Sequence, residues 1–229
     1  EFIPRSNYIL IDKEFKSHSN YYHIHRRRGI NSNERTLIPT IQPPNRVHIY
    51  GGYSMLFKHQ TDMLMFNACS QSIVYDYAIR ATGKEDLLLN SIDFLPILKP
   101  NTKYSGTILN RSLRLNCVNY EYENLWNSVG EIMVTNTHYA FKLRNSENSS
   151  SKVWSTRTPL ISWFDRRVGQ IELDVLTAMA FELTLEELIS LYDTDFSVLK
   201  TNDNNTFYDS KGNIIFTTSK GLSGLGVDR

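Results

Sequence analysis

Three consecutive arginines, Arg26, Arg27 and Arg28, stand directly before Gly29-Ile30-Asn31-Ser32-Asn33. Arginine neutralises phosphates and reads guanine edges, while asparagine reads adenine. A loop carrying both, with Asn31 and Asn33 beside the arginines, can enter a nucleic-acid groove. The same run at a strand end is also compatible with a solvated surface. A second group, Arg46, Tyr50, Tyr53 and Lys58, surrounds Gly51-Gly52; core packing is the alternative for the two tyrosines. Other chemistry is thin. His23 and His25 share one face of a strand, but two histidines alone make an incomplete metal site. Asp12 with Glu14-Phe15-Lys16 matches only part of a Mg²⁺-holding nuclease set. Cys69 and Cys117 suit neither zinc nor redox spacing and read as two buried thiols. No Ser/His/Asp arrangement is legible.

The elements that must position these residues follow from periodicity. Residues 21–28 are rich in aromatic and β-favouring types and predict a strand, as do 36–41 before the Pro43-Pro44-Asn45 breaker. Residues 47–57 resume the strand pattern, with Gly51-Gly52 as a bulge or close backbone approach. From His59 the period changes to three and four, which predicts one helix to about Thr82 with Gly83 just past its end. Leu95-Pro96 closes that segment. Residues 102–117 and 120–129 predict two helices, and 145–151 a loop. A strong helix follows over 163–183. Thr184-Leu185-Glu186-Glu187 is a capping box opening a helix to about Tyr192. Asp209–Gly212 and Asn213, between Phe207-Tyr208 and Ile214-Ile215-Phe216, predict a hairpin.

Composition bounds the class. The 229 residues, 41% hydrophobic and 21% charged, suit one or two globular domains. No apolar run approaches the roughly 18 residues of a bilayer span, so no membrane is expected as partner. Glu1–Arg5 lacks the apolar core of a signal peptide, and a cytoplasmic setting is expected. The chain, without an initiator Met, reads as part of a longer polypeptide. Net charge is only +1, yet residues 1–60 carry nine Lys/Arg against four acids, and the remainder sixteen against twenty. A basic end joined to an acidic end suits one face meeting phosphate and another meeting protein.

Four strings, in order, carry a resemblance. They are Asn33-Glu34-Arg35-Thr36-Leu37-Ile38 with Ile41-Gln42-Pro43-Pro44; Ser72 through Arg80 with Leu95-Pro96-Ile97; Leu113-Arg114-Leu115-Asn116 with Leu125-Trp126; and Arg166-Arg167 through Leu176 to Phe207-Tyr208-Asp209 and Gly212. Together they resemble the C-terminal target-recognition region of large single-chain N6-adenine DNA methyltransferases of the type IIG restriction–modification and phage-defence groups. The resemblance implies an α+β fold: a β-rich recognition domain over 1–99, then a mostly helical subdomain with a C-terminal hairpin over 100–229. It implies a non-catalytic fragment that chooses the DNA site. Its partners would be double-stranded DNA and the catalytic methyltransferase domain of the same polypeptide. S-adenosylmethionine would serve the parent enzyme, with no cofactor in this fragment.

The missing motifs agree with a non-catalytic role. An N6-adenine methyltransferase needs Asn/Asp-Pro-Pro-aromatic, and Gln42-Pro43-Pro44-Asn45 has the wrong order. Gly221-Leu222-Ser223-Gly224-Leu225-Gly226 has no helix after it to form a cofactor turn. Arg35 is expected to be structural, pairing with an acid such as Asp76, since a charge within an apolar helix requires a partner. Arg80 can either reach DNA or serve the end of its own helix. Glu172, Asp174, Glu182, Glu186, Glu187, Asp193 and Asp195 form an acidic face expected to pack on protein rather than phosphate. The competing readings are a protein–protein scaffolding module of a defence complex and a cryptic nuclease.

Overall fold

The computed structural model describes residues 19–132, 138–146 and 152–216, and the chain is α+β. A three-stranded antiparallel sheet has the order β2-β1-β3, from β1 (Tyr22–Arg26), β2 (Pro39–Gln42) and β3 (Gly52–Met55). Its register sets His25 opposite Pro39 on one side and Tyr53 on the other. Strand β3 is shorter than the pattern over 47–57 predicts. The Gly52 amide donates to the Ile49 carbonyl, so the preceding residues are spent on a turn.

The helix predicted over 59–82 is two helices, α1 (Gln60–Ser70) and α2 (Ile73–Ala81). The break has a local cause. Ser72 is extended and its hydroxyl accepts from the Tyr75 amide, starting a new helix two residues after the last one ends. Apolar periodicity cannot register such a break, because α1 is buried from Met63 through Ser70. Gly83 takes φ +66° just past α2, a conformation glycine adopts without a Cβ clash.

A short α3 (Leu89–Ile92) leads to α4 (Ser105–Asn116), then a 3₁₀ turn at Tyr120–Tyr122 and α5 (Glu123–Val129). Helix α6 (Trp163–Ala180) is capped by Ser162, whose hydroxyl accepts from Asp165 N. The capping box at Thr184 and Glu187 opens α7 (Leu185–Asp195) as expected. Helix α8 (Ser197–Asn205) has no sequence signal: three of its nine residues are Asn and it lacks a side-chain cap. The hairpin forms from β4 (Phe207–Tyr208) and β5 (Ile214–Phe216). Asp209 accepts from the Lys211 and Asn213 amides, and Gly212 supplies φ +83°. Of the loop expected over 145–151, residues 147–151 lie outside the described residues, as do Asp12, Glu14, Lys16 and the Gly221–Gly226 string.

Helix α4 packs between α1 and α6, and one core runs from Leu37 and Ile41 through Met63, Leu64 and Leu113 to Trp126 and Leu173. It draws residues from both sides of position 99. Two buried ion pairs lock the β1–β2 connection onto it. Asp76, 1% exposed, accepts from the Thr36 amide with both oxygens (3.1 and 3.0 Å) and pairs with Arg80 Nε at 3.3 Å. Arg35 is structural, as expected, but its partner is Asp174 on α6 at 3.0 Å rather than Asp76. Asp174 also accepts from Ile73 N at 2.8 Å. Burial pushes the Asp76 carboxyl up, and Arg35, Arg80 and the Thr36 and Leu37 amides pull it back.

Removing one member of such a pair leaves a buried charge alone. Asp76→Ala is expected to destabilise the fold by about 3–5 kcal/mol in urea unfolding. Asp193→Ala, which breaks the exposed pair with Lys200, is expected to change stability by less than about 1 kcal/mol. Equal effects at the two sites would refute this account.

Candidate nucleic-acid interface

The segment after β1 is fastened on both sides. Arg26 N donates to Ile38 O, Arg27 N to Gly51 O, and Gly29 N to Glu85 O, while Leu87 N donates back to Arg27 O. This fixes where each arginine of the run can go. Arg26 is half-buried, with Nη2 3.5 Å from the Arg35 carbonyl. Arg27 pairs with Asp86 at 2.5 Å, and its guanidinium lies 3.7 Å from the centre of the Tyr50 ring. The same contact holds the Asp86 carboxyl below the usual carboxylate range. Arg28 is exposed.

The remaining candidates divide between the two ends of the sheet. Asn31 is exposed near Arg28, and its Oδ1 accepts from the Thr36 hydroxyl at 3.2 Å. Asn33 is half-buried, and its carbonyl accepts from Arg80. Tyr50 is 78% exposed and neighbours Ile49, 76% exposed, at the turn before β3. Tyr53 is half-buried, with its ring 5.6 Å from that of His25. Arg46 and Lys58 are exposed but belong to the opposite end: the Arg46 carbonyl accepts from the Tyr22 hydroxyl, and its guanidinium pairs with Glu121. Lys58 lies beyond β3, past Met55, which faces His23. Arg28, Asn31 and Tyr50 therefore lie toward one end of the sheet, with Tyr50 held by Arg27 and Asn31 by Thr36.

Arg80 does not extend to the surface. It donates to the carbonyls of Asn33, Glu34 and Asp195, with its guanidinium 4.2 Å from the Phe196 ring centre. The acidic face is also smaller than its sequence implies. Glu172 pairs inward with Arg111 at 2.5 Å and Asp174 with Arg35, leaving Glu182, Glu186, Glu187 and Asp193 exposed.

Beneath the sheet, His23 and His25 do share a face, and both are buried. They form a directed chain. His25 Nε2 lies 2.9 Å from the Leu87 carbonyl, an acceptor, so it carries the proton. His25 Nδ1 then accepts from His23 Nε2 at 3.0 Å, and His23 Nδ1 accepts from Asn67 Nδ2 at 3.0 Å. Asn67 Oδ1 accepts from Gln71 at 2.8 Å. Every link is satisfied with both imidazoles neutral. Burial pulls His23 well below its ordinary pKa, and the neighbouring His25 adds to this; burial also lowers His25, opposed by the Leu87 carbonyl. Asn67 and Gln71 were not legible as partners, since their polar side chains sit in an otherwise apolar helix pattern.

No group of three His, Cys, Asp or Glu able to hold a metal occurs among the described residues. Cys69 and Cys117 are free and buried, and burial pushes the Cys69 thiol up to about 12. No described helix is long and apolar enough to cross a membrane. Comparison with protein-family models, with curated proteins and with solved structures finds no match.

The histidine chain gives the fold a pH dependence of definite sign. Both pKa values are lower in the folded state, so the unfolded chain binds protons first. The stability is present above the unfolded value of about 6.5 and is lost as pH falls below it, by about 1.4 kcal/mol per pH unit for each histidine. Urea unfolding at pH 7 and pH 5.5 measures the loss. In His25→Gln, whose amide keeps one donor and one acceptor, the dependence is expected to fall by about half, in proportion to the one histidine removed. An unchanged slope would place the titrating group elsewhere.

Proposed function

We propose that this chain is a DNA target-recognition module, non-catalytic itself, working in the cytoplasm for the catalytic domain of an adenine-specific DNA methyltransferase. The observation that carries the DNA reading is the Arg27–Tyr50 stack. It holds an exposed aromatic ring at the end of the sheet from which the loop carrying Arg28 and Asn31 departs. Arg28 supplies charge for phosphate or a guanine edge, the Asn31 amide supplies donors, and the Tyr50 ring supplies apolar contact. The internal pairs of Arg27, Arg35 and Arg80 keep these side chains in position rather than in the groove. The assignment to the methyltransferase rests on the four sequence strings. The scaffolding alternative draws support from the same internal pairing, which turns Arg27, Arg35 and Arg80 inward and away from a ligand.

Fluorescence anisotropy with a randomised duplex pool at two salt concentrations tests this reading. Arg28→Ala/Tyr50→Ala is expected to weaken binding by at least about tenfold, about 1.4 kcal/mol. The slope of log affinity against log salt should fall by about 0.9 for the lost phosphate contact. Arg46→Ala, at the other end of the sheet, should change binding little. Salt-dependent binding that Arg46→Ala removes and Arg28→Ala/Tyr50→Ala leaves intact would overturn the assigned face. No binding by the wild-type chain at low salt would favour the scaffold.

A further inference from the structure

Beside strand β2 lies a cleft of ≈ 290 Å³, whose walls include Arg35, Thr40, Gln71, Asn116, Arg166 and Gln170. Arg166 and Gln170 are four residues apart on α6 and so share a face, with Asp174 next along the same stripe. Asp174 is already occupied by Arg35 and the Ile73 amide. Arg166 has no such partner. Its Nη1 donates to the carbonyls of Leu115 (3.0 Å) and Leu160 (3.1 Å), and it makes no ion pair among the described residues. Burial pulls its guanidinium below the ordinary pKa. Arg35 engages Asp174 through Nη2, while its buried Nη1 has no hydrogen-bond partner.

A desolvated guanidinium held only by neutral carbonyls lacks counter-charge. Here two arginines from different elements line a cleft that also offers amide side chains. Planar guanidinium forks match the oxygens of a phosphate group. We propose that this cleft is a phosphate-binding site, taking either a phosphodiester of nucleic acid or free inorganic phosphate. The Ile38–Pro39 end of the cleft adjoins Arg26, whose amide donates to Ile38 O. The site stands independently of the recognition face around Tyr50.

The test is calorimetric titration and thermal unfolding of the chain with inorganic phosphate, against chloride at matched ionic strength. A dinucleotide with one phosphodiester is run in parallel. Gln170→Glu is the informative variant, because Gln170 is half-buried, glutamate suits a helix, and its carboxylate supplies the missing counter-charge within reach of Arg166. Wild type is expected to show saturable phosphate binding with a rise in Tm. Gln170→Glu should keep its fold and bind phosphate at least about tenfold more weakly. Arg28→Ala/Tyr50→Ala should retain the phosphate response, which separates this site from the recognition face. A matching response to the dinucleotide assigns a phosphodiester, and a response to inorganic phosphate alone assigns the free anion. No saturable response to either, or a response that Gln170→Glu leaves unchanged, overturns the proposal.

Discussion

Two buried carboxylates, Asp76 on α2 and Asp174 on α6, hold the connection between β1 and β2 against the helices. Asp76 takes the Thr36 amide and Arg80, and Asp174 takes Arg35 and the Ile73 amide. The segment around residues 33–36 is thereby tied to three helices at once, since Arg80 also reaches the Asp195 carbonyl at the end of α7. Each carboxylate is desolvated, and each is compensated by backbone amides as well as a guanidinium. Such an arrangement adds less net stability than its Coulomb attraction suggests, but breaking it is costly. It fixes one register for the loop.

That constraint decides which arginines remain for a ligand. Five arginines, Arg27, Arg35, Arg80, Arg111 and Arg167, are paired inside the molecule with Asp86, Asp174, Asp76, Glu172 and Asp203. The charge asymmetry between the first sixty residues and the rest is therefore partly an internal complementarity, with basic loops meeting acidic helices of the same chain. What stays on the surface near the end of β1 is Arg28, with Tyr50 presented by the arginine stacked on it. Arg166 is the contrasting case, a partly buried cation whose neighbours are carbonyls.

The histidine chain beneath the sheet serves a different purpose. Two imidazoles on alternate positions of β1 would be poor core residues singly. Linked to each other, to Asn67 and to the Leu87 carbonyl, they satisfy their buried polar atoms and join β1 to α1 and to the segment before α3. The polar chain is directional, so it specifies one packing of the sheet on α1 where apolar side chains alone would tolerate several.

Much of the architecture was legible because it is written in short-range chemistry. The capping box at Thr184 and Glu187, the Asp209–Gly212 turn, Gly83 and the period of α6 each act within a few residues, and each appears where expected. Long-range pairing was not legible. Nothing near Arg35 in sequence distinguishes Asp174 from Asp76, and nothing marks Asn67 as the partner of His23, because these contacts depend on how α2 and α6 pack. The same holds for Tyr50 and Arg46, which are four residues apart in sequence but lie at opposite ends of one sheet. Sequence by itself determined which residues carry charge, caps and turns, through local backbone preferences. Tertiary structure alone decided which charges are spent internally and which face outward, because burial and counter-charge are properties of packed surfaces rather than of any stretch of chain.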